Sequence, residues 1–490
     1  MWVSRRDSVA RTVNVAAALV DSAPPERRAL LELARDGARR DWTFGEVAER
    51  SARLAGTLAA RGVGRGDVVM TLIGNRPDWV FAMLACWRLG AVALPCNEML
   101  RAKDLRLRLD VARPKLVIAD ERNRTELEAA RPDTDVLLVP DDMLYDAAPV
   151  PPADLTPTDP AVIVFTSGTS GAPKGVLHGV RYLAGQHVQA EHWFGAREGE
   201  LAWCTAASGW SKSARNVFVA PWLQGAAALL HDDRFDPAER LEILARERVD
   251  VLCMAPTEYR VMAKRTELRP LPLRTAVAAG EALNPEVLHT WRAAVGVDVR
   301  DGYGQTETGQ TTSAPVGEPP RPGSMGRPLP GVRAWVDEGE LVLDPATVPT
   351  FFLGYLGEPP RDLATPWRTG DRVHADEDGW LYFEGRADDV IISAGYRIGP
   401  FEVESALVSH DAVAEAAVVA APDEERGSIV RAVVVLRDGY APGPDLARTL
   451  QDHVKAETAP YKYPRVIEFA DDLPKTASGK IRRALLRGES

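Results

Sequence analysis

The chain has 490 residues, 45% of them hydrophobic and 26% charged, with a net charge of −11 at neutral pH. That length exceeds the roughly 250 to 300 residues at which a single core stops growing, so two or more domains are expected. The acidic balance and scattered Lys and Arg leave no basic footprint, which argues against nucleic acid or an anionic membrane surface as a partner; any anionic ligand must be held by local geometry.

From the N-terminus, MWVSRRDSVARTVNVAAALVDS carries basic residues and a short apolar run. Asp7 and Asp21 flank that run and no small-residue cleavage site follows, so it makes a poor signal peptide. No window approaches the roughly 18 uncharged apolar residues of a membrane span. Cys86, Cys96, Cys204 and Cys253 form no C-x-x-C pair, which fits reduced thiols packed as small hydrophobes in a cytoplasmic protein.

Helical spacing runs from Ala48 to Gly62 and again from Trp79 to Leu89, and strand-like stretches lie at Asp67 to Ile73, Ala91 to Pro95 and Pro114 to Ala119. This alternation predicts an α/β architecture with mostly parallel sheets. The proline-rich segment from Ala147 to Pro160 reads as a surface connection. Near Arg386 to Asp389 comes a second break. Beyond it FEVESALVSH and DLARTLQDHVKAE read as helices, and EAAVVAAP, RAVVVLRDG and RVIEFADDL as strands, which predicts a small second α/β domain. The expected division is 1–387 and 388–490.

The stretch AVIVFTSGTSGAPKG, Ala161 to Gly175, is a buried-strand pattern running into a loop of hydroxyls, glycines and one lysine. It is no Walker loop, which needs lysine directly after glycine and a hydroxyl after that; here Ala172 and Pro173 separate Gly171 from Lys174. Gly479-Lys480 fails too, because Ile481 follows. The logic of a phosphate cradle survives, since glycines admit close backbone approach, Thr166, Ser167, Thr169 and Ser170 can donate, and Lys174 adds a charge.

TSGTSGAPKG resembles the signature loop of the adenylate-forming superfamily, which holds acyl-CoA synthetases, peptide-synthetase adenylation domains and luciferases. AAGE (278–281), DGYGQTE (301–307), RTGD (368–371), GRADDVIISAGYRIGP (385–400) and PKTASGK (474–480) follow in that family's order. GWSKSARNVFVAPWLQGA, YGQTETG, GYRIGPFEVESAL and APYKYPR are most similar to the medium-chain acyl-CoA synthetases. The resemblance implies a large N-terminal adenylation domain and a small C-terminal domain that swings about a hinge at Asp388, with ATP, Mg²⁺ and coenzyme A as cofactors and a small carboxylic acid as substrate.

Residue by residue, the resemblance implies that Thr166, Ser167, Gly168, Thr169, Ser170, Gly171 and Lys174 grip the β- and γ-phosphates. Tyr303, which follows Asp301 and Gly302, would stack on adenine, with the backbone of Gly280 and Glu281 lining the base. Thr306 would touch the α-phosphate and Glu307 would hold Mg²⁺. Asp371 would accept hydrogen bonds from the ribose hydroxyls, as an acceptor-only carboxylate suits a diol, and Arg386 would add a ribose contact. Lys480 would bridge acid and phosphate during adenylation. Arg397 would contact phosphate in that first state. In the second, the loop 393–397 would replace Lys480, with Gly395 leaving width for pantetheine.

Gly304 stands where acetate-specific relatives carry a tryptophan, which argues for an acyl group longer than acetate, either a medium-chain aliphatic (fatty) or a small aromatic acid, and Trp210 resembles a pocket wall. Lys212 could face solvent, meet a coenzyme A phosphate or pair with a second acidic group on the substrate, and the first is the favoured reading. The segment from Gly331 to Trp367 is shorter than the family usually shows and is read as trimmed surface hairpins. The leading function is therefore an acid:CoA ligase. A stand-alone adenylation enzyme that loads a carrier protein, and a nucleotide-binding protein without ligase activity, are the alternatives; monomer and homodimer both stay open.

Overall fold

The computed structural model describes residues 14–166, 173–281, 283, 285–386, 389–393, 396–423, 426–475 and 481–488. Two seven-stranded sheets form its larger part. In the first, Val299–Gly302, Thr275–Ala279, Val251–Met254, Leu201–Cys204, Ala227–His231 and Arg28–Leu33 run parallel in that spatial order, and Arg39–Thr43 closes the edge antiparallel. In the second, the parallel strands are Pro160–Thr166, Val92–Cys96, Val68–Leu72, Leu116–Asp120 and Asp135–Val139. Lys174–Gly179 and then Gly354–Tyr355 extend that sheet antiparallel beyond Pro160–Thr166.

These strands read as unbroken apolar runs because both faces are covered. Successive side chains point to opposite faces. Leu30 therefore enters the core shared by the two sheets, while Leu31 enters the core under the helices Pro237–Arg246, Pro256–Arg265 and Pro285–Val295. The shared core takes the helices Phe44–Ala60 and Pro77–Leu89, with Trp79, Trp193 and Trp222 fully buried. The first of those helices starts before the apolar spacing does. Thr43 caps it reciprocally, its hydroxyl accepting from the Glu46 N–H at 3.2 Å while Glu46 accepts from the Thr43 N–H at 2.8 Å.

A four-stranded antiparallel sheet follows, Ala334–Asp337, Glu340–Leu343, Trp367–Ala375 and Leu381–Arg386. The segment 331–367 supplies two strands of this sheet and the edge strand Gly354–Tyr355. Past residue 390 the chain builds its own core, with the helices Pro400–Val408 and Pro444–Glu457 packed on Val413–Asp423, Gly427–Leu436 and Val466–Phe469. Every element expected of the last hundred residues is present. Ala387 and Asp388, where the hinge is expected, lie outside the described residues. No helix among the described residues is long and apolar enough to cross a membrane, and the four cysteines are buried and unpaired.

Candidate active site

The glycine-rich loop joins two antiparallel strands, with Thr166 opposite Lys174 at its base. A Walker loop instead leads from a strand into a helix, which accounts for the failed match at the level of the backbone. Ser167, Gly168, Thr169, Ser170 and Gly171 themselves lie outside the described residues. Lys174 is exposed, its Nζ 4.8 Å from the Tyr355 ring centroid and 3.4 Å from Glu358. The Tyr355 hydroxyl donates to Glu307 Oε1 at 2.9 Å, and burial pushes that phenol's pKa up. One aromatic side chain thus links the loop's lysine to the expected metal-binding carboxylate.

A second cluster forms around Asp371, which is 4% exposed. Register places it opposite Arg386 on the neighbouring strand, and Arg386 Nη1 donates to Asp371 Oδ1 at 3.0 Å. The other carboxylate oxygen accepts from the Tyr303 hydroxyl and, at 2.8 Å, from Gln305 Nε2. Gln305 is fixed in turn by Thr369 O at 2.7 Å and by the Trp367 indole N–H at 2.9 Å. Burial raises the pKa of Asp371 against the opposing charge of Arg386. Gln305 and Trp367 escaped the sequence reading, although both sit inside or beside motifs that were read.

Asp301, Gly302, Gly280 and Glu281 end adjacent strands of the first sheet or follow them directly, at the edge nearest this cluster. Asp301 is buried and accepts from the backbone N–H groups of Gly302, at 2.9 Å, and Leu283; burial pushes its pKa up to about 8. Gly280 has φ +102°, and a Cβ there would come 3.1 Å from Lys212 Nζ. Lys212 does not face solvent as expected. Its ammonium donates to Ala279 O at 2.6 Å, pinning the strand end that precedes Gly280. Glu281 accepts from Thr257 Oγ1 at 2.7 Å, which leaves its backbone free to line a ligand.

Thr306 and Glu307 lie in the turn between the paired residues Gly304–Gln305 and Gly309–Gln310. A Cβ on Gly304 would fall 1.9 Å from Gly309 O, so this hairpin requires glycine there whatever the acyl group. Trp210 is half-buried against the shared core. Asp388, Gly395 and Lys480 lie outside the described residues; Arg397 is on the strand Tyr396–Ile398, its side chain outside the description.

Residues 18–353 match the model of the AMP-binding enzyme family, and residues 402–480 match that of the AMP-binding enzyme C-terminal domain. An uncharacterized acyl-CoA ligase, YtcI of Bacillus subtilis, is 40% identical across 95% of this chain and 94% of its own. The mitochondrial acyl-coenzyme A synthetase ACSM5 of Mus musculus is 39% identical across 91% of this chain and 84% of its own. Among solved structures, an anthranilate CoA ligase, AuaEII, in complex with anthranoyl-AMP superposes with a TM-score of 0.87 at 27% identity, covering 97% of this chain and 96% of that one. A benzoate CoA ligase from Burkholderia xenovorans LB400 does so with a TM-score of 0.85 at 29% identity, covering 97% and 99%. Matched in both of its parts and over most of its relatives' length, the chain belongs to the AMP-binding enzyme family, among its acyl-CoA synthetases.

Proposed function

We propose that the protein is an ATP-dependent acid:CoA ligase for acids larger than acetate. In the first half-reaction a carboxylate oxygen attacks the α-phosphorus of ATP and pyrophosphate leaves. In the second, the coenzyme A thiolate attacks the acyl carbon and AMP leaves. The observation that carries the reading is the Asp371 cluster: a buried carboxylate, oriented by Arg386, Tyr303 and Gln305, directly beside the turn that holds Thr306 and Glu307. Two carboxylate oxygens offer about four acceptor positions, and Arg386, Tyr303 and Gln305 fill three of them, so one ribose hydroxyl takes the free position and the second replaces one of these donors.

On this reading the Tyr303 ring stacks on adenine against the backbone of Gly280 and Glu281, while Thr306 donates to the α-phosphate. Glu307 suits Mg²⁺, which prefers one or two carboxylates together with phosphate oxygens; it pairs with no cation among the described residues, and Tyr355 orients one of its oxygens. When bound, the ion neutralises phosphate charge. Ser167 to Gly171 and Lys174 hold the departing pyrophosphate.

Bringing a carboxylate to a phosphate joins two anions, so charge must be stabilised more strongly in the transition state than before it. We assign that part to Lys480. Rotation of the domain 388–490 about Asp388 then exchanges Lys480 for the loop carrying Gly395, with Arg397 leaving its phosphate contact. A moving domain of this kind gates the reaction. We place the enzyme in the cytoplasm, where four unpaired cysteines stay reduced.

The test is a screen of acids from acetate to dodecanoate, with benzoates, scored for AMP and acyl-CoA. Lys480→Ala is expected to slow acyl-adenylate formation by about a hundredfold or more while largely sparing thioester formation from supplied acyl-adenylate; equal loss in both halves would remove that assignment. An adenylate that free coenzyme A fails to discharge points instead to a carrier-protein thiol.

A further inference from the structure

Arg215 opens the helical turn Arg215–Val219, five residues after Trp210. Its side chain is inside the protein, 4% exposed, yet Nε and Nη1 have no hydrogen-bond partner and no carboxylate pairs with it among the described residues. A guanidinium stays charged at any working pH, and a buried charge without a counter-ion is strongly unfavourable. The fold tolerates it here. Its neighbours are equally unspent. His178, wholly buried and stacked on Tyr182 with ring centroids 3.9 Å apart, faces the Thr306 backbone without a full hydrogen bond at either ring nitrogen. Burial and then the Arg215 charge hold that imidazole neutral, with a pKa down to about 3. Asn216 Nδ2 and Gln189 Oε1 are also unpartnered, although the two side chains share one bond at 3.0 Å.

The position of the cluster relates it to the reaction. The Cβ direction of Gly309, two residues past Glu307, ends 3.5 Å from Arg215 Nη1. Arg215 thus lies against the hairpin whose turn carries Thr306 and Glu307. A cation and neutral donors in an interior otherwise built of Phe218, Val217 and Trp222 form a receptor for an anion that the protein itself does not supply.

We propose that Arg215, assisted by His178, binds a second anionic group at the far end of the acid, so that the substrate is a carboxylic acid carrying a further carboxylate. This rests on the acid:CoA ligase reading and narrows its substrate class. A plain alkanoate leaves the guanidinium desolvated and unpaired; a diacid gives it a charge-assisted, bidentate partner.

The experiment compares matched acids on the full chain: hexanoate with adipate, octanoate with suberate, benzoate with terephthalate, each by kcat/KM for AMP release. At least one diacid is expected to exceed its partner by about tenfold or more. Arg215→Met reverses that preference by raising the monoacid and lowering the diacid, and Arg215→Lys retains part of it. Thermal unfolding gives a second readout. Removing an unpaired buried charge raises the Tm of free Arg215→Met, and the preferred diacid raises the Tm of wild type but not of Arg215→Met.

Monoacids preferred in all three pairs by wild type would overturn the proposal and leave the ligase reading standing. So would an equal loss on every acid in Arg215→Met, which would give Arg215 to the reacting carboxylate. No AMP from any acid would overturn the ligase reading and this proposal together. The wild-type comparison decides even where Arg215→Met does not fold.

Discussion

At the scale of single residues, burial sets the chemistry of the site. Asp301 keeps its proton up to about pH 8 in the folded chain and gives it up near 3.8 once exposed. Between those values the unfolded state alone releases a proton, so rising pH favours unfolding; above about 8 both states are ionised and the effect levels off. Asp301→Asn abolishes this slope. In denaturant titrations its stability is expected to gain on wild type by about 1 kcal/mol per pH unit from pH 5 to 8 and then to hold constant; parallel curves would show that Asp301 is ionised throughout. Asp371 differs in kind because Arg386 faces it. The identities of both carboxylates were legible in DGYGQTE and RTGD. Their unequal surroundings were not, because a neighbour across a sheet is set by register and leaves no trace in local spacing.

At the scale of elements, the hairpin around Thr306 and Glu307 shows how tightly backbone geometry constrains a motif. Gly304→Ala sets a methyl 1.9 Å from Gly309 O, and neither strand can yield without disturbing Gln305 and its hold on Asp371. A loss of about 3 kcal/mol or more is expected from overpacking of this severity, together with weaker ATP binding, read by chemical denaturation and nucleotide titration; a stable variant with unaltered ATP affinity would contradict this packing. The glycine was read from sequence as a statement about the acyl pocket, and the hairpin adds a reason independent of any substrate. Tyr355 was missed because GYLGEPP carries no strand-like alternation. Its strand is two residues long and exists because an edge of the second sheet is there to receive it.

At the scale of the molecule, the helix Pro256–Arg265 reaches across to the C-terminal sheet. Lys264 donates to Ala414 O at 2.6 Å and Val413 O at 3.3 Å, while Arg437 lies 4.0 Å from Glu286. Nearby, a cleft of about 520 Å³ is lined by Glu286, Tyr382, Phe401 and Lys462. Burial lowers the pKa of Lys264 to about 8. Docking therefore expels its proton, and the docked arrangement gains as pH rises from about 8 towards the free lysine value near 10.4. Fluorescence transfer between labels on the two domains is expected to show the docked fraction climbing over that range in wild type and staying flat in Lys264→Met; identical profiles would remove Lys264 as the contact that matters.

The sequence by itself determined the α/β class, the separate C-terminal core, the order of the six motifs and the kind of chemistry they serve. Strand and helix periods are local, and the residues within each motif are close to one another along the chain. Only the tertiary structure decided that the phosphate loop joins antiparallel strands, that Gln305 and Trp367 brace Asp371, that Lys212 pins a strand end instead of facing water, and that Arg215 is buried without a partner. Each of these depends on which distant segments become neighbours, and burial and pairing are properties of that neighbourhood.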